Sequence, residues 1–299
     1  MGGDPQMSSA VVTEVLDEPT WRSAAATHAH VADGLTAARR RRAGVGDHHP
    51  VDDFLFTYYT LRPGQLRTWY PGIGVGLAGA AERKNWRFHR FTDGVATVDA
   101  PALLAARGEA IRFTERLLGA TAGRAGQFGC FGLHEWAMVY RRSAEQVRHA
   151  DWPLRLGSAG TDAVVQQAQI RCTHYDAFRF FTEPARPRNQ LQPTLESRAD
   201  LEQPGCLHVG MDLYKWAYKL IPAVPSELLL DCFRLARRIR EVDMRASPYD
   251  LSALGYRPIE IETPAGKAEY VALQREFAEL GAPLRERLRA VAGQVLTAG

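Results

Sequence analysis

The fold is indicated most directly by residues 228–242, LLLDCFRLARRIREV, in which apolar side chains recur in steps of four and three. Side chains at this spacing share one face of an α-helix, and the charged residues between them occupy the opposite face. An amphipathic helix of this kind buries its apolar face against a core. The positions on the apolar face are Leu228, Cys232, Leu235, Ile239 and Val242.

Working outward from this stretch, further helices are predicted to begin near Pro19, Asp99 and Thr263, where a capping residue or a proline precedes an apolar periodic run. Only short segments, notably Trp86–Phe91 and Pro258–Thr263, alternate in the manner of strands. Strands and helices do not alternate along the sequence in the way that is typical of a parallel sheet. We therefore expect a mainly α fold, a compact multi-helix domain with two to four short strands.

Composition excludes several classes of protein. Of the 299 residues, 45% are hydrophobic and 24% are charged, which is typical of a folded globular protein. The 37 basic and 34 acidic residues leave a formal net charge of +3, so the chain lacks the strongly basic balance of many nucleic-acid-binding domains. No apolar run of about 18 residues occurs, and we expect no contact with a membrane.

The domain organisation is predicted to be simple. We expect residues 1–18 to form a flexible N-terminal tail and residues 19–299 to form a single, mainly helical catalytic domain. The first residues lack the basic and apolar regions of a secretory signal. The four cysteines form no C-x-x-C pair, which favours a reducing, cytoplasmic location. The sequence leaves the oligomeric state open.

Four short stretches join His, Asp, Glu or Lys directly to aromatic residues. A solvated surface carries polar groups without aromatic rings, and a core carries aromatic rings without charges. Finding both together four times predicts a buried or half-buried polar site with flat aromatic walls. The stretches are Gly132–Trp136, Cys172–Phe181, Cys206–Trp216 and Asp243–Asp250.

The carboxylates of these stretches are candidate catalytic groups. Asp212 and Lys215 are three residues apart, and a helix brings such a pair together. A carboxylate in aromatic surroundings, held by a nearby cation, can activate water or stabilise a developing sugar cation. We predict Asp212, Lys215, Glu135 and Asp176 as catalytic residues. The alternative role for any one of these carboxylates is an internal salt bridge that ties two helices together.

Aromatic side chains in the same four stretches are predicted to bind the substrate, because a flat ligand stacks on flat rings. The side chains predicted to do so are Trp136, Tyr175, Phe178, Tyr214, Trp216 and Tyr249.

The histidines suggest a metal site as an alternative. His134, His174 and His208 each lie in one polar–aromatic stretch, and we expect them to converge on one pocket. With a carboxylate from the same stretches they form the ligand pool of a two-His-one-carboxylate site for iron or another divalent metal. The zinc-protease signature is absent, because Met138 occupies the position four residues after His134. Two other interpretations remain open: a Cys/His zinc site built from the two C-x-H pairs, and histidines that only form hydrogen bonds.

A glycine-rich loop is the candidate contact with DNA. Residues 69–80 contain the core Pro-Gly-Ile-Gly, which is similar to the hairpin of helix–hairpin–helix DNA-binding proteins. In such hairpins glycine lets backbone N–H groups approach a phosphate. We therefore predict that Gly72 and Gly74, together with Arg40 and Arg41 of the arginine run, contact DNA. The alternatives are a packed glycine turn and a solvated helix end.

Five longer stretches resemble an actinobacterial family usually labelled 3-methyladenine DNA glycosylase. They are His49–Tyr59, Gly132–Tyr140, His174–Phe181, Met211–Leu220 and Asp243–Asp250. The resemblance extends over roughly residues 45–290. It implies a DNA repair N-glycosylase, which is a hydrolase that removes an alkylated or modified purine in base excision. Such an enzyme needs no cofactor, and its partner is DNA or a modified nucleobase.

Three functions therefore stand at this point. The first is the glycosylase, which extrudes a damaged base, stacks it between aromatic rings and supplies a carboxylate for the sugar cation. The second is a metal-dependent oxidoreductase of the non-haem iron kind that acts on a small aromatic substrate through a His/Asp/Glu site. The third is a non-catalytic module that binds a nucleotide or a modified base. Metal analysis and salt-dependent DNA binding discriminate among them.

Overall fold

Helices dominate the computed structural model, which describes residues 12–142 and 151–298. The mainly α architecture predicted from the sequence is thereby confirmed. No helix in these two ranges is long and apolar enough to cross a membrane. The helices are α1 (Glu18–Val45), α2 (Phe54–Thr57), α3 (Pro63–Leu66), α4 (Ala100–Ala122), α5 (Leu133–Val139), α6 (Gly157–Gln167), α7 (Tyr175–Phe178), α8 (Arg198–Leu201), α9 (Leu207–Lys219), α10 (Ser226–Arg245) and α11 (Pro264–Thr297).

The three longest helices predicted from the sequence begin where side-chain caps are available. The carboxylate of Asp17 caps α1, that of Asp99 caps α4, and the hydroxyl of Thr263 caps α11. Each accepts a hydrogen bond from the backbone N–H three residues later, which would otherwise lack an intrahelical partner. A proline follows within the first two helical positions in all three cases, where its missing N–H removes no helical hydrogen bond.

The apolar faces of the long helices meet in one core. Helix α10 packs along α9, and α11 packs along α4, α9 and α10. The predicted apolar face of α10 is buried along its whole length. The core extends from Ala32 in α1 to Val295 in α11. The helices that carry the polar–aromatic stretches, α5, α7, α9 and α10, all contribute to this core.

A small sheet lies beside the helices. Its strands are β1 (Glu14–Leu16), β2 (Val75–Ala78), β3 (His89–Thr92) and β4 (Val95–Val98), in the order β1-β2-β4-β3. Strand β1 runs parallel to β2, and the other two pairs are antiparallel.

The position of β1 moves the boundary of the predicted tail. Residues 14–16 pair with β2, and Asp17 caps α1, so residues 12–18 are structured rather than loose. Residues 1–11 of the predicted tail lie outside the described residues. The single-domain organisation stays a prediction, which limited proteolysis can test.

One predicted strand is wrong and one is shorter than predicted. Residues 258–263 form no strand, although Ile259 and Ile261 are buried. The N–H of Ile259 donates to the carbonyl of Arg245, and the N–H of Ile261 donates to Ile259. The alternation in this segment therefore reflects burial of its isoleucines without a neighbouring strand. In the segment Trp86–Phe91, pairing begins only at His89.

Candidate functional site

A cavity of about 940 Å³ opens between the end of α1, the segment that contains α2, and helices α7 and α9. We call it the pocket. Its volume is within the range of small-molecule sites. Its aromatic lining residues are Phe54, Tyr58, Tyr59, Trp152, Phe180 and Tyr218. A polar site with aromatic walls is the kind of site that the sequence predicts, although all six of these rings come from residues outside the predicted set.

The aromatic wall is built mainly by Phe54 of α2 and by Tyr58 and Tyr59, which follow this helix directly. Residues four apart lie on the same side of a helix, and Phe54 and Tyr58 stack with their ring centroids 5.1 Å apart and their planes 7° apart. Tyr59 meets Tyr58 edge-on at 5.0 Å. Phe180, which follows α7, approaches Tyr58 at 6.5 Å. The wall therefore combines flat ring faces with ring edges.

Asp176 and Lys215 form an ion pair in the pocket lining, whose other charged residues are Asp47, Asp53, Asp151, Arg179 and Lys219. The Nζ of Lys215 lies 2.8 Å from Oδ2 of Asp176, and their side chains are 15% and 14% exposed respectively. Burial lowers the pKa of Lys215, but the charges on Asp212 and Asp176 outweigh burial and raise that pKa above its ordinary value. Burial raises the pKa of Asp176, and Lys215 outweighs it, so this pKa is lowered. The pair is thus charged at neutral pH and provides a fixed field rather than a proton.

Asp212 lies behind this pair and does not line the pocket. Its Oδ1 accepts a hydrogen bond of 2.9 Å from the hydroxyl of Tyr59. Its Oδ2 accepts from Lys215 at 3.2 Å, Arg198 at 3.2 Å and His174 at 3.3 Å. Burial raises the pKa of Asp212, but Lys215, His174 and Arg198 together lower it well below its usual range. Asp212 therefore positions Tyr59 and Lys215, and Asp176 is the one carboxylate of the predicted catalytic set that lines the pocket.

A chain of ion pairs continues from Asp212 into the protein. Nε of Arg198 lies 2.7 Å from Oε1 of Glu202, one helical turn further along the chain. Nδ1 of His174 accepts the N–H of Ala177 at the start of α7, so Nε2 carries the proton that faces Asp212 and Glu202. We call this set the pocket network. It consists of Asp176, Asp212, Glu202, Lys215, Arg198 and His174.

A second polar cluster, which we call the inner triad, consists of His134 of α5, His208 of α9 and Asp243 of α10. Nε2 of His134 lies 2.9 Å from Oδ1 of Asp243. The ring centroids of His134 and His208 are 4.3 Å apart, and the ring centroids of His174 and His208 are 5.3 Å apart. The three histidine rings therefore lie side by side, but none of them lines the pocket, so the predicted convergence on one pocket is not seen.

Burial and charge act differently on the members of the inner triad. Burial raises the pKa of Asp243, but His134, His208 and Arg240 lower it below its usual range. Burial lowers the pKa of His134, and Asp243 outweighs burial and raises it. Burial dominates at His208 and holds its pKa well below the ordinary value. His208 is consequently a neutral imidazole, and within the described chain its Nδ1 has no hydrogen-bond partner.

Glu135 belongs to the surroundings of the inner triad rather than to the pocket. Nη1 of Arg240 donates to Oε1 of Glu135 at 2.9 Å and to Oδ2 of Asp243 at 2.8 Å. Glu135 is buried and does not line the pocket. The predicted catalytic role of Glu135 therefore lacks access to a ligand in the pocket, and its alternative role, an internal salt bridge, matches the geometry.

Two groups of side chains have donor atoms close enough to hold a metal ion. In the first, His134, His208 and Asp243, all donor atoms lie within 4.8 Å of one another, and the same is true of His174, Asp176 and Asp212. The three histidines predicted as one ligand set are thus divided between two groups. Neither group contains a cysteine, so over the described residues the geometry does not favour the Cys/His zinc interpretation.

The predicted substrate-binding aromatic residues do not line the pocket. Trp136 is fully buried and its indole N–H donates to the carbonyl of Ala246. Tyr214 is also buried and packs edge-on against Tyr59 at 5.6 Å, so it supports the wall from behind. The others that lie away from the lining are Tyr175, Phe178, Trp216 and Tyr249. Neighbouring residues on a helix point in different directions. An aromatic residue next to a polar site residue in the sequence therefore need not line the same pocket.

The largest group of pocket residues that the prediction missed lies in His49–Tyr59. This stretch joins His and Asp to four aromatic rings, so the criterion used for the four predicted stretches would also have selected it. His49 lines the pocket, and its Nδ1 accepts the N–H of Asp52 at 3.0 Å. Burial lowers the pKa of His49. A neutral ring with Nε2–H is therefore available as a hydrogen-bond donor.

The predicted DNA-binding hairpin does not form. A helix should follow its glycines, but strand β2 begins at Val75. The N–H of Ile73 donates to the carbonyl of Ala223, and a Cβ on Gly72 would lie 2.8 Å from Pro225. The Pro-Gly-Ile-Gly segment is therefore a packed glycine turn, and the assignment of Gly72 and Gly74 to DNA contact loses its structural basis.

The predicted arginine contacts lie at the end of α1. Arg40 is exposed and forms an ion pair of 2.9 Å with Asp33 of the same helix. Arg41 is exposed as well. Neither side chain lines the pocket. Both arginines match the solvated helix end that was the alternative interpretation, and their contact with DNA stays a prediction.

Comparisons with protein-family models, with curated proteins and with solved structures found no match to this chain. A fold by itself does not determine an activity. The function is therefore argued from the pocket and from the two polar clusters beside it.

Proposed function

We propose that the pocket binds an alkylated purine and that the protein hydrolyses the N-glycosidic bond between this base and its deoxyribose in DNA. The observation that carries the proposal is the position of Asp176. Its carboxylate is kept ionised by Lys215 and faces an aromatic-walled pocket of about 940 Å³. Asp176 takes the catalytic role, Lys215 keeps it charged, and Asp212 positions Lys215.

The chemistry of an alkylated purine suits such a site. Methylation at a ring nitrogen gives the base a positive charge, so the bond between C1′ and the base breaks with its electron pair moving to the ring. The base departs neutral and the sugar becomes an oxocarbenium ion. A fixed carboxylate stabilises this cation. Water then adds to C1′ and releases a proton to solvent.

The walls of the pocket support the binding step. A flat base gains stacking energy on Phe54, Tyr58 and Phe180, and a cationic base is also attracted to the negative faces of their rings. The Nε2–H of His49 provides a donor for the edge of the base. An enzyme of this kind must extrude the base from the duplex, and a cavity of this volume accommodates an extruded nucleotide.

The surface beside the pocket supports binding of the nucleic-acid backbone. A second cavity, of about 450 Å³, shares Thr60, Tyr218 and Lys219 with the pocket and adds Arg107. Lys219 and Arg107 therefore place positive charge next to the aromatic wall, where it attracts phosphate groups. The small net charge of the chain, +3, limits this attraction to a local patch.

The experiment that tests the proposal is measurement of base release from methylated DNA. Duplex and single-stranded DNA treated with a methylating agent are incubated with the wild-type protein and with Asp176→Asn, and free methylated purines are quantified. Release by the wild type and its loss in the variant support the proposal. Tight binding of a methylated base without release would instead support the non-catalytic binding module, and absence of both would reject a role in alkylated-base chemistry.

A further inference from the structure

We propose that the inner triad is a binding site for one divalent first-row transition metal ion, separate from the pocket and not required by the proposed glycosylase chemistry. Two imidazoles and one carboxylate are the donor set that Fe²⁺, Zn²⁺, Mn²⁺ and Co²⁺ accept, whereas Mg²⁺ and Ca²⁺ prefer oxygen donors alone. The proposal selects Asp243 as the carboxylate and excludes His174, which differs from the set predicted from the sequence.

The spacing of the donors matches a coordination shell. Nε2 of His134 and Oδ1 of Asp243 are 2.9 Å apart, and two adjacent ligands at metal distances of about 2.0–2.2 Å lie roughly 3 Å apart. All three donor atoms are within 4.8 Å of one another. They come from α5, α9 and α10, and each of these helices is anchored in the core.

His208 supplies an independent indication of a ligand. The residue is only 7% exposed, and its Nδ1 has no hydrogen-bond partner over the described residues. An unpaired nitrogen in the interior is unfavourable, because folding removes its water without providing a replacement. A metal ion bound between His134, His208 and Asp243 provides that partner.

A second unpaired group lies at the start of α5. The hydroxyl of Tyr270 has no hydrogen-bond partner in the described chain, and it would lie 3.2 Å from a Cβ placed on Gly132, two residues before His134. The hydroxyl is thus available to a further ligand of the metal, such as a water molecule. Buried polar groups without partners therefore occur next to the inner triad on two sides.

The charges around the inner triad leave room for a cation. Arg240 donates to two carboxylates, Glu135 and Asp243, through the same nitrogen, so one guanidinium is shared by two negative charges. Arg240 also fixes Oδ2 of Asp243 and leaves Oδ1 directed at His134. Hydrogen bonds of this kind orient a ligating carboxylate and raise the affinity of metal sites.

The neighbouring group of His174, Asp176 and Asp212 is unsuited to a metal ion, although its donor atoms are as close together. Asp212 already accepts hydrogen bonds from Lys215, Arg198, His174 and Tyr59. Both ring nitrogens of His174 are engaged as well. A divalent ion would have to displace these donors and would be repelled by the lysine and the arginine.

The proposal is tested by direct metal titration of the whole chain. Protein freed of metal with a chelator is titrated with Zn²⁺ by calorimetry and with Co²⁺ by visible absorption, which reports nitrogen and oxygen ligation. We expect about one ion per chain and, for His208→Gln, an affinity at least about 100-fold lower, since even changes to groups around the ligands cost roughly 10–100-fold. The matched control is His174→Gln, which removes the neighbouring histidine and should retain the ion.

Location of the ion in the wild type makes the test independent of variants that fail to fold. Crystals grown with Co²⁺ should show an anomalous scattering peak between His134, His208 and Asp243. No binding by the wild type, a peak elsewhere in the molecule, or unchanged affinity in a folded His208→Gln protein would each overturn the proposal.

Discussion

The pocket network and the inner triad lie side by side, with the rings of His174 and His208 5.3 Å apart, yet their surroundings differ in charge. The three carboxylates of the pocket network, Asp176, Asp212 and Glu202, face three cations. Two of these are Lys215 and Arg198, and the third is Arg179, which forms an ion pair of 3.3 Å with Asp176. In the inner triad and its partner Glu135, two carboxylates share one guanidinium, that of Arg240, and Asp243 also contacts the imidazole of His134. The first cluster is saturated with donors, and the second retains an unpaired imidazole nitrogen.

This difference shows that residue types alone do not define a site. Both clusters contain histidines and aspartates within coordination distance of one another. The number of neighbouring cations determines which cluster can bind a metal ion. Access to the pocket determines which cluster can contact a substrate. Only the pocket network extends to the pocket, through Asp176 and Lys215. The following experiments test this division, from the largest expected effect to the smallest.

The largest effect is expected from Asp212→Asn. The substitution removes one of the three carboxylates that face Lys215, Arg198 and Arg179, so three cations are left with two carboxylates. Half-breaking a buried ion pair costs about 3–5 kcal/mol of stability. Urea unfolding measures the loss. The comparison is Asp243→Asn, where Arg240 keeps Glu135 as a partner and the loss should be smaller. A loss in Asp243→Asn that equals or exceeds that in Asp212→Asn would contradict the assignment of charge balance to the two clusters.

Asp176→Asn should reduce activity rather than stability. If the proposed function holds, the single-turnover rate of base release falls about 10²-fold or more, which is the scale of a lost charged catalytic group. The side chain is partly exposed, so its removal should affect unfolding less than Asp212→Asn does. A folded variant that releases methylated bases at the wild-type rate would remove Asp176 from the reaction. Metal binding at the inner triad should be unchanged.

Metal ions should stabilise the protein through the inner triad alone. A ligand that binds only the folded state adds about 2.7 kcal/mol to stability when its free concentration is 100 times its Kd. Thermal melting with and without Zn²⁺ measures this gain in the wild type and in Lys215→Met, which alters only the pocket network. His208→Gln should gain nothing. An equal gain in His208→Gln and the wild type would place the ion outside the inner triad.

Tyr59→Phe tests the hydrogen bond between the pocket wall and the pocket network. The hydroxyl donates to the ionised Asp212, and hydrogen bonds to charged groups contribute about 1.5–3 kcal/mol. The matched control is Tyr214→Phe, because the Tyr214 hydroxyl is also buried but has no hydrogen-bond partner among the described residues. Urea unfolding should show a loss for Tyr59→Phe and little change for Tyr214→Phe. Similar values for the two variants would argue against a role for the Tyr59–Asp212 contact.

The last prediction concerns the pH dependence of stability that follows from the depressed pKa of Asp212. Its effect on the free energy of unfolding is the smallest of the set at neutral pH and becomes measurable in acid. A carboxyl whose pKa is lower in the folded state contributes stability that is present above its unfolded pKa of about 3.9 and is lost as the pH falls towards the folded value. The wild type should therefore lose stability progressively below pH ~4. Asp212→Asn should show a shallower loss there, and an identical slope would contradict the depressed pKa.

Much of the fold follows from local sequence. Caps at Asp17, Asp99 and Thr263 fix where three long helices begin, and these depend only on residues within one turn. The apolar periodicity of residues 228–242 fixes which face of α10 is buried. The existence of a polar site with aromatic walls, and the proximity of His134, His174 and His208 to one another, could also be predicted, because buried polar groups require partners.

The tertiary structure alone decided which of those side chains face a ligand. Spacing along a helix shows which residues share a face, but it does not show what packs against that face. The sequence therefore predicts Asp212, Glu135 and Asp176 alike as catalytic carboxylates. Only the tertiary structure shows that Tyr59 contacts Asp212 and that Asp176 is the one of the three that lines the pocket. The balance of charges was equally inaccessible from sequence, because Arg198, Lys215 and Arg240 acquire their partners from several helices. Distances between those helices are set by packing of the whole core, and the distances determine which carboxylate is neutralised and which remains free to bind.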